Sequence, residues 1–330
     1  MGITHHVSTN GFTISDLVRM GAEQALGVTP VDVSPRGMDT PIYSGTLLAH
    51  EVQPGLTATA FDVTYLLDQE FVVDMQAALV CGILLRGDPD TMEIGNIAQV
   101  MPRFEQPVLY GFGQAMRCRR HCVANRHCRM AGFIPRPDFF DRFGDDIADD
   151  GLSVLRDFTN VEFRTEALAR SPKLVEIANR SLDHPYNGEL GQLFLESNTL
   201  SYVVEVAELL KQERRLVALI GRRHYERVME ARDILDADLV APPRTLELAR
   251  RVGVNVTTLQ ANFKAVFGTT IFGYVRDQRL LMARVLLLDH GLTVAEAGYR
   301  VGFASPAAFT AAYRRHFGHP PGKEVARDPL

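Results

Sequence analysis

The chain has 330 residues, 46% of them hydrophobic and 23% charged, with no tryptophan and a formal net charge of −5. That length suits two folded domains and a connector, and without an apolar run of about 18 residues no membrane span or membrane partner is expected. The acidic total by itself speaks against nucleic acid. The charge is unevenly divided, however: residues 222–330 hold 16 Lys and Arg against 11 Asp and Glu, a net of +5, and the remainder holds 19 against 29, a net of −10. A basic C-terminal part on an acidic body suits a chain in which only that part meets a polyanion.

The opening "MGITHHVSTN" has neither the apolar core of a signal peptide nor a Ser or Thr at its sixth position for myristoylation. A cytoplasmic location with reduced cysteines is the expectation. Residues 1–140 read as a β-rich domain. "TLLAHEV" and "LTATAFDV" flank a Pro-Gly turn, with Thr57, Thr59, Phe61 and Val63 alternating with Leu56, Ala58 and Ala60. "ALVCGILLRGDPD" is a nearly continuous apolar run closed by a Gly-Asp-Pro breaker, as in a strand buried on both faces. Short strands with turn signals between them predict a barrel or sandwich.

"MRCRRHCVANRHCRM" crowds Cys118, His121, Cys122, His127 and Cys128 into one stretch. Taken as a β-hairpin, Cys118 and Cys122 share a face but sit about 13 Å apart, too far to hold one ion directly. A three-residue loop sets Cys122 opposite Cys128; a four-residue loop sets Cys122 opposite His127 and His121 opposite Cys128. Neither register gathers four ligands, so a metal site would need an irregular loop or ligands borrowed from His5, His6 or Cys81. The leading expectation is an Arg-rich, solvated strand pair whose cysteines are small apolar fillers. The alternative is a metal, haem or thiol-sensing site, although neither CxxC nor CxxCH is present. Arg117, Arg119, Arg120, Arg126 and Arg129 also offer an anion-binding surface, against the plainer reading of solubilising charge.

From about Pro137 the pattern becomes helical, and residues 141–221 read as a connector. Ser171 is placed to cap a helix that begins at Pro172. In the next long helical segment Leu193, Leu200 and Ala207 recur every seven residues, with Ser197 and Val204 between them. That stripe suits either a helix lying on the β domain or the seam of a homodimer.

Residues 222–330 read as all-helical and contain a repeat. "ELARRVGVNVTTLQANFKAVFG" and "VAEAGYRVGFASPAAFTAAYRRHFG" each give helix, glycine turn, helix, with "IFGYVRDQRLLMARVLLLDHG" as one amphipathic helix between them. Counted from the capping residues Asn255 and Ser305, Leu259 matches Phe309, Phe263 matches Tyr313, Phe267 matches Phe317 and Gly268 matches Gly318. Ala249 and Ala297 supply small residues at the helix approach, and Gly253 and Gly302 the turns. The apolar positions fall on one face of each second helix. The other faces carry Thr257, Thr258, Gln260, Ala261 and Lys264, and Ala307, Ala308, Thr310, Ala311, Arg314 and Arg315. A connecting helix of about 20 residues spans roughly 30 Å, close to one turn of B-DNA, so the two corners could address successive major grooves.

On these motifs residues 245–323 resemble the DNA-binding domain of the AraC/XylS transcriptional regulators. "LGQLFLESNTLSYV", "GTTIFGYVRDQRL" and "GILLRGD" look like the subgroup typified by the pyochelin regulator PchR. The resemblance implies an N-terminal cupin-like β-barrel sensor, with a small-molecule effector such as a ferric siderophore, and promoter DNA and RNA polymerase as partners. Haem or a metal ion is the effector if the cysteine cluster is the sensor. Two departures from the family stand out: Ala261 and Ala311 where an Arg is common, and "PPGKEV" where an aromatic-basic pair usually follows the final Pro. Only Gln260 can make a bidentate contact to adenine.

No P-loop, GxGxxG after a strand, HExxH or GxSxG is present, so an enzyme is not expected. A metal-dependent cupin-type enzyme fused to a DNA-binding domain is a secondary reading, with only His50, Glu51 and Glu70 to support it, and an effector-independent architectural DNA binder is a third. The expected whole is α+β: a cupin-like β-barrel sensor, a helical connector and an all-α domain with two helix-turn-helix motifs.

Overall fold

The computed structural model describes residues 5–23, 26–31, 37–87, 91–100, 102–143, 152–288 and 290–325. The chain divides into two compact units, Met1–Lys211 and Gln212–Leu330.

In the first unit, strands β1 (His5–Thr13), β3 (Pro41–Gln53), β4 (Leu56–Tyr65), β6 (Ala78–Gly87), β9 (Pro107–Phe112), β11 (His127–Pro135) and β12 (Phe163–Ala167) form one antiparallel sheet, ordered β1-β3-β4-β11-β6-β9-β12. Strands β2 (Gly27–Val31), β5 (Gln69–Met75), β7 (Met92–Ile94), β8 (Ala98–Val100) and β10 (Met116–Cys122) form a second, ordered β2-β5-β10-β7-β8. Helices α1 (Ile14–Glu23), α2 (Pro137–Asp141) and α3 (Leu152–Arg156) join these strands, and α4 (Pro172–Asp183) and α5 (Gly188–Ile220) follow them. The sheets keep open edges, so the expected closed barrel is corrected to two stacked sheets.

The period-two alternation of the large sheet sorts its side chains into two cores. Leu56, Ala58, Ala60, Leu79, Cys81, Ile83, Leu109, Ala131 and Phe133 pack beneath Leu174 and Ile177 of α4 and Leu195, Tyr202 and Val206 of α5. Their neighbours Val63, Tyr65, Leu84 and Cys128 meet Phe71 and Cys122 of the small sheet, while Val108, Tyr110 and Phe112 meet Met75, Ile94 and Cys118. With both faces covered, β6 reads as a continuous apolar run. The segment expected as a connector thus shares the core of the sheets. Ser171 accepts a hydrogen bond from Leu174 N and caps α4. Asn198 of α5 donates to Ile177 O at 3.0 Å, and Tyr202 Oη donates to Ala131 O at 3.3 Å.

The expected heptad stripe on α5 is divided. Leu193 and Val204 are 63% and 60% exposed, Leu200 is half-buried and Ala207 is buried. An ideal helix drifts about 20° per heptad, which turns the last position of the stripe toward the sheet.

The hairpin expected through "MRCRRHCVANRHCRM" is also corrected. β10 pairs with β5 and β7, β11 pairs with β4 and β6, and residues 123–126 carry the chain from one sheet to the other. Residues 66–68, between β4 and β5, make a second crossing at that end, where Tyr65 N donates to Arg126 O and Asn125 N to Tyr65 O. At the far end residues 76–77 and 113–115 cross between β5 and β6 and between β9 and β10.

In the second unit, α6 (Arg222–Ala237), α7 (Thr245–Arg251), α8 (Val256–Phe267) and the first turns of α9 (Ile271–Leu288) enclose a core of Val228, Leu235, Leu248, Leu259, Phe263 and Tyr274. The last turns of α9, with α10 (Val294–Arg300) and α11 (Pro306–Phe317), enclose Leu280, Leu287, Ala297, Val301, Phe309 and Tyr313. A short helix, α12 (Gly322–Val325), follows.

A charged bracket joins the large sheet to α4. Asp62 accepts from His127 Nε2 at 2.7 Å and pairs with Arg129, whose other nitrogen reaches Asp183 of α4 at 2.6 Å. Burial would raise the Asp62 carboxyl, but the His127 hydrogen bond and the Arg129 charge outweigh it and hold Asp62 below the usual carboxylate range. A depressed carboxyl stabilises the fold above its unfolded value, near ~4, and loses that contribution as pH falls through the folded value. Asp62→Asn should therefore lower the unfolding free energy at pH 7 by about 2 kcal/mol. Denaturant titrations followed by circular dichroism should show that deficit shrinking on acidification below pH ~4.

Candidate nucleic-acid interface

Both corners of the second unit are built from local chemistry. α7 ends at Val252, and Gly253 turns the chain at φ +69°. Asn255 then caps α8 by accepting from Thr258 N at 2.7 Å. In the second corner Gly302 turns at φ +85°, Ser305 accepts from Ala308 N at 3.2 Å, and Pro306 fills the first turn, where no amide donor is needed. Both helices end on a left-handed glycine, Gly268 and Gly318. A capping box at α10, where Thr293 and Glu296 bond reciprocally, escaped the sequence reading although its T-x-x-E spacing is visible in "TVAE".

The inner faces of α8 and α11 are aromatic. Phe263, Phe267 and Tyr274 stack at 4.6 to 5.4 Å, and Phe309, Tyr313 and Phe317 at 4.4 to 5.5 Å. Each cluster holds a tyrosine bonded to a carboxylate: Tyr274 Oη lies 2.9 Å from Asp236, and Tyr313 Oη 3.2 Å from Glu324. Burial among these groups pushes the Tyr313 phenol well up, so it remains a donor. Glu324 also meets Arg284 at 3.0 Å and His319 at 3.4 Å. The divergent tail "PPGKEV" thereby contributes a buried acid to the second core. Ala249 and Ala297 are buried at the helix approaches.

The outer faces are open. Thr257, Gln260, Ala261 and Lys264 are exposed on α8, and Thr258, whose amide makes the cap bond, is half-buried. On α11 Ala307, Ala308, Ala311, Arg314 and Arg315 are exposed and Thr310 is half-buried. Pro306, Ala307, Thr310, Ala311, Arg314 and Arg315 line one shallow open concavity.

The cysteine stretch resolves differently. Cys118, Cys122 and Cys128 are buried in the cores between the sheets, and Tyr43 Oη lies 3.2 Å from Cys122 Sγ. His121 lies on the surface, 3.8 Å from Glu70, while His127 belongs to the Asp62 bracket. Strand alternation points the thiols and the imidazoles in different directions. Among the described residues no three His, Cys, Asp or Glu side chains lie together as metal ligands. The side chains of His5 and His6 lie outside the described residues. The arginines are dispersed as well: Arg117 pairs with Asp74, Arg119 with Glu70, Arg129 with Asp62 and Asp183, and Arg120 donates to Tyr65 Oη.

Two family models match the chain. Residues 44–219 match the family described as the regulatory protein PchR N-terminal domain, and residues 248–327 match a helix-turn-helix domain. The regulatory protein PchR of Pseudomonas aeruginosa is 38% identical over 109 residues, which cover 32% of this chain and 37% of that protein. The HTH-type transcriptional regulator ExsA of the same species is 27% identical over 104 residues, covering 32% of this chain and 36% of that protein. The matches thus span a little over a third of these curated relatives. A solved AraC-type DNA-binding domain protein from Chromobacterium violaceum is 32% identical and covers 31% of this chain and 92% of its own, with a TM-score of 0.30. With more than half of its length matched by the PchR N-terminal domain and a helix-turn-helix domain behind it, the chain belongs to the PchR family of AraC-type regulatory proteins.

Proposed function

We propose that the chain is a transcriptional regulator whose second unit binds double-stranded promoter DNA through two helix-turn-helix corners, with α8 and α11 each entering a major groove. One observation carries this reading. Caps, turns and aromatic inner faces are all consumed by the fold, whereas the outer faces of both helices are exposed and end in Lys264, Arg314 and Arg315. α9 has 18 residues, a rod of about 27 Å, which suits neighbouring grooves on one side of a duplex.

The two helices differ in their means of reading. Gln260 is the base reader on α8, with Thr257 and Thr258 for single hydrogen bonds or thymine methyls. α11 offers Ala307, Ala308 and Ala311, which touch methyls and shape, while Arg314 and Arg315 grip phosphate. Gln260→Ala should cost about 1–3 kcal/mol on the preferred duplex and relax its specificity at one base pair. Arg314→Ala should weaken all duplexes alike and reduce the salt slope by about one. Fluorescence anisotropy on matched and base-substituted duplexes separates the two, and equal losses on every sequence from Gln260→Ala would overturn its role.

The first unit is the sensor in this reading, with a small molecule such as a ferric siderophore as effector, RNA polymerase as the downstream partner and DNA affinity as the output. Linkage requires the effector to bind the DNA-bound and DNA-free forms unequally, by the same factor with which it changes DNA affinity. Calorimetric titration of a ferric siderophore, haem or ferric iron into the chain, with and without duplex, should give two affinities whose ratio equals the shift in DNA affinity.

A second copy of the chain would pack along the outward side of α5, where Leu190, Leu193 and Val204 are 59%, 63% and 60% exposed. Paired Leu193→Glu and Val204→Glu substitutions should convert a dimer in sedimentation equilibrium to a monomer and leave the circular dichroism spectrum unchanged.

A further inference from the structure

The two corners have separate cores, joined by α9. Between them runs a groove of about 420 Å³, lined among others by Pro242, Pro243, Phe272 and Phe303. A groove gives little resistance to rotation of one half against the other, since no interdigitated side chains fill it.

Arg279, in the middle of α9, bridges this groove. Its Nε donates to Leu239 O at 2.6 Å, its Nη2 to Val240 O at 2.9 Å and its Nη1 to Gly302 O at 3.1 Å. The first two carbonyls lie on the segment that leads from α6 into α7. The third is the turn glycine that leads into α11. One planar fork thus holds the entry to the first corner and the bend of the second against the helix that separates them. The fit is close: a Cβ on Gly302 would stand 3.2 Å from Arg279 Cζ and 3.3 Å from Val240 O. Neutral carbonyls make geometry the basis of this contact. A lysine ammonium on the same stem cannot match three acceptors spread over a fixed planar fork.

We infer that Arg279 is a positioning residue for DNA recognition, which sets the angle between α8 and α11 and so determines the separation of half-sites that the protein accepts. This rests on the two-corner reading given above. Each added base pair moves the second half-site by about 3.4 Å and turns it by roughly a tenth of a helical turn. A locked pair of helices rejects that change, whereas a pair free to swivel accommodates it.

The test uses the full chain. Duplexes are selected from a random pool by the unaltered protein, then rebuilt with one or two base pairs added or removed between the half-sites, and with each half-site alone. The unaltered chain should prefer one separation by about tenfold or more over its neighbours, a penalty comparable to a mismatched base pair. Arg279→Gln should reduce that preference to about threefold or less while binding of single half-sites stays unchanged. Arg279→Lys, which keeps the stem and the charge, should behave as Arg279→Gln does, and it supplies the measurement if the glutamine variant does not fold. Retention of the spacing preference by both variants, or equal losses on single and paired half-sites, would overturn the assignment. Failure of the unaltered chain to select any duplex would instead sink the DNA reading itself, and this inference with it.

Discussion

The second unit depends on a division of labour around two short helices. Each of α8 and α11 gives its inner face to an aromatic cluster, Phe263 and Phe267 with Tyr274 in one case and Phe309, Tyr313 and Phe317 in the other. A 12-residue helix is marginal alone in water, so its order comes from that packed face and from its capped ends. Asn255 and Ser305 satisfy first-turn amides, and Gly268 and Gly318 close the last turns. Once these local needs are met, the outer face carries no structural duty. Short side chains such as Ala261 and Ala311 can stand exposed there without disturbing the core.

The same economy explains what was legible in the sequence. Caps and turn glycines act within a few residues, and an aromatic face repeats at helical spacing, so Asn255, Gly253, Ser305 and Gly302 can be picked out one by one. The Pro-Gly turn between β3 and β4 and the doubly buried β6 are local in the same sense. The choice of partner for β10 is different in kind. Arg120 pairs with Phe71 and His121 with Glu70, about fifty residues away, and no local alternation encodes that preference over the nearer β11. The cysteine stretch was open to a hairpin reading for this reason. Arg279 was hidden by the same gap: within "RDQRLLMARVLL" it resembles any helix arginine, and its three acceptors lie on backbone whose position depends on the fold.

Charge follows a similar rule. The arginines of β10 and β11 look like a basic patch when read in sequence, yet alternation and sheet pairing deliver Arg117, Arg119 and Arg129 to separate acids. On α11, by contrast, Arg314 and Arg315 stand exposed, while Phe309 and Tyr313 of the same helix are buried. The acidic first unit and the basic second unit are thus distinct electrostatic objects on one chain, and the overall charge of −5 describes neither.

The short crossings between the two sheets have a mechanical consequence. The link from Met75 to Ala78 has three Cα steps, about 11 Å at full stretch, against a sheet separation of about 10 Å. It is therefore short for such a span, and the crossings at 66–68 and 123–126 tether the opposite end. Short links at both ends resist opening of the sandwich like a book. Movement within this unit is thereby left to its surface loops and to the helices seated on its outer face, and not to the spacing of the two sheets.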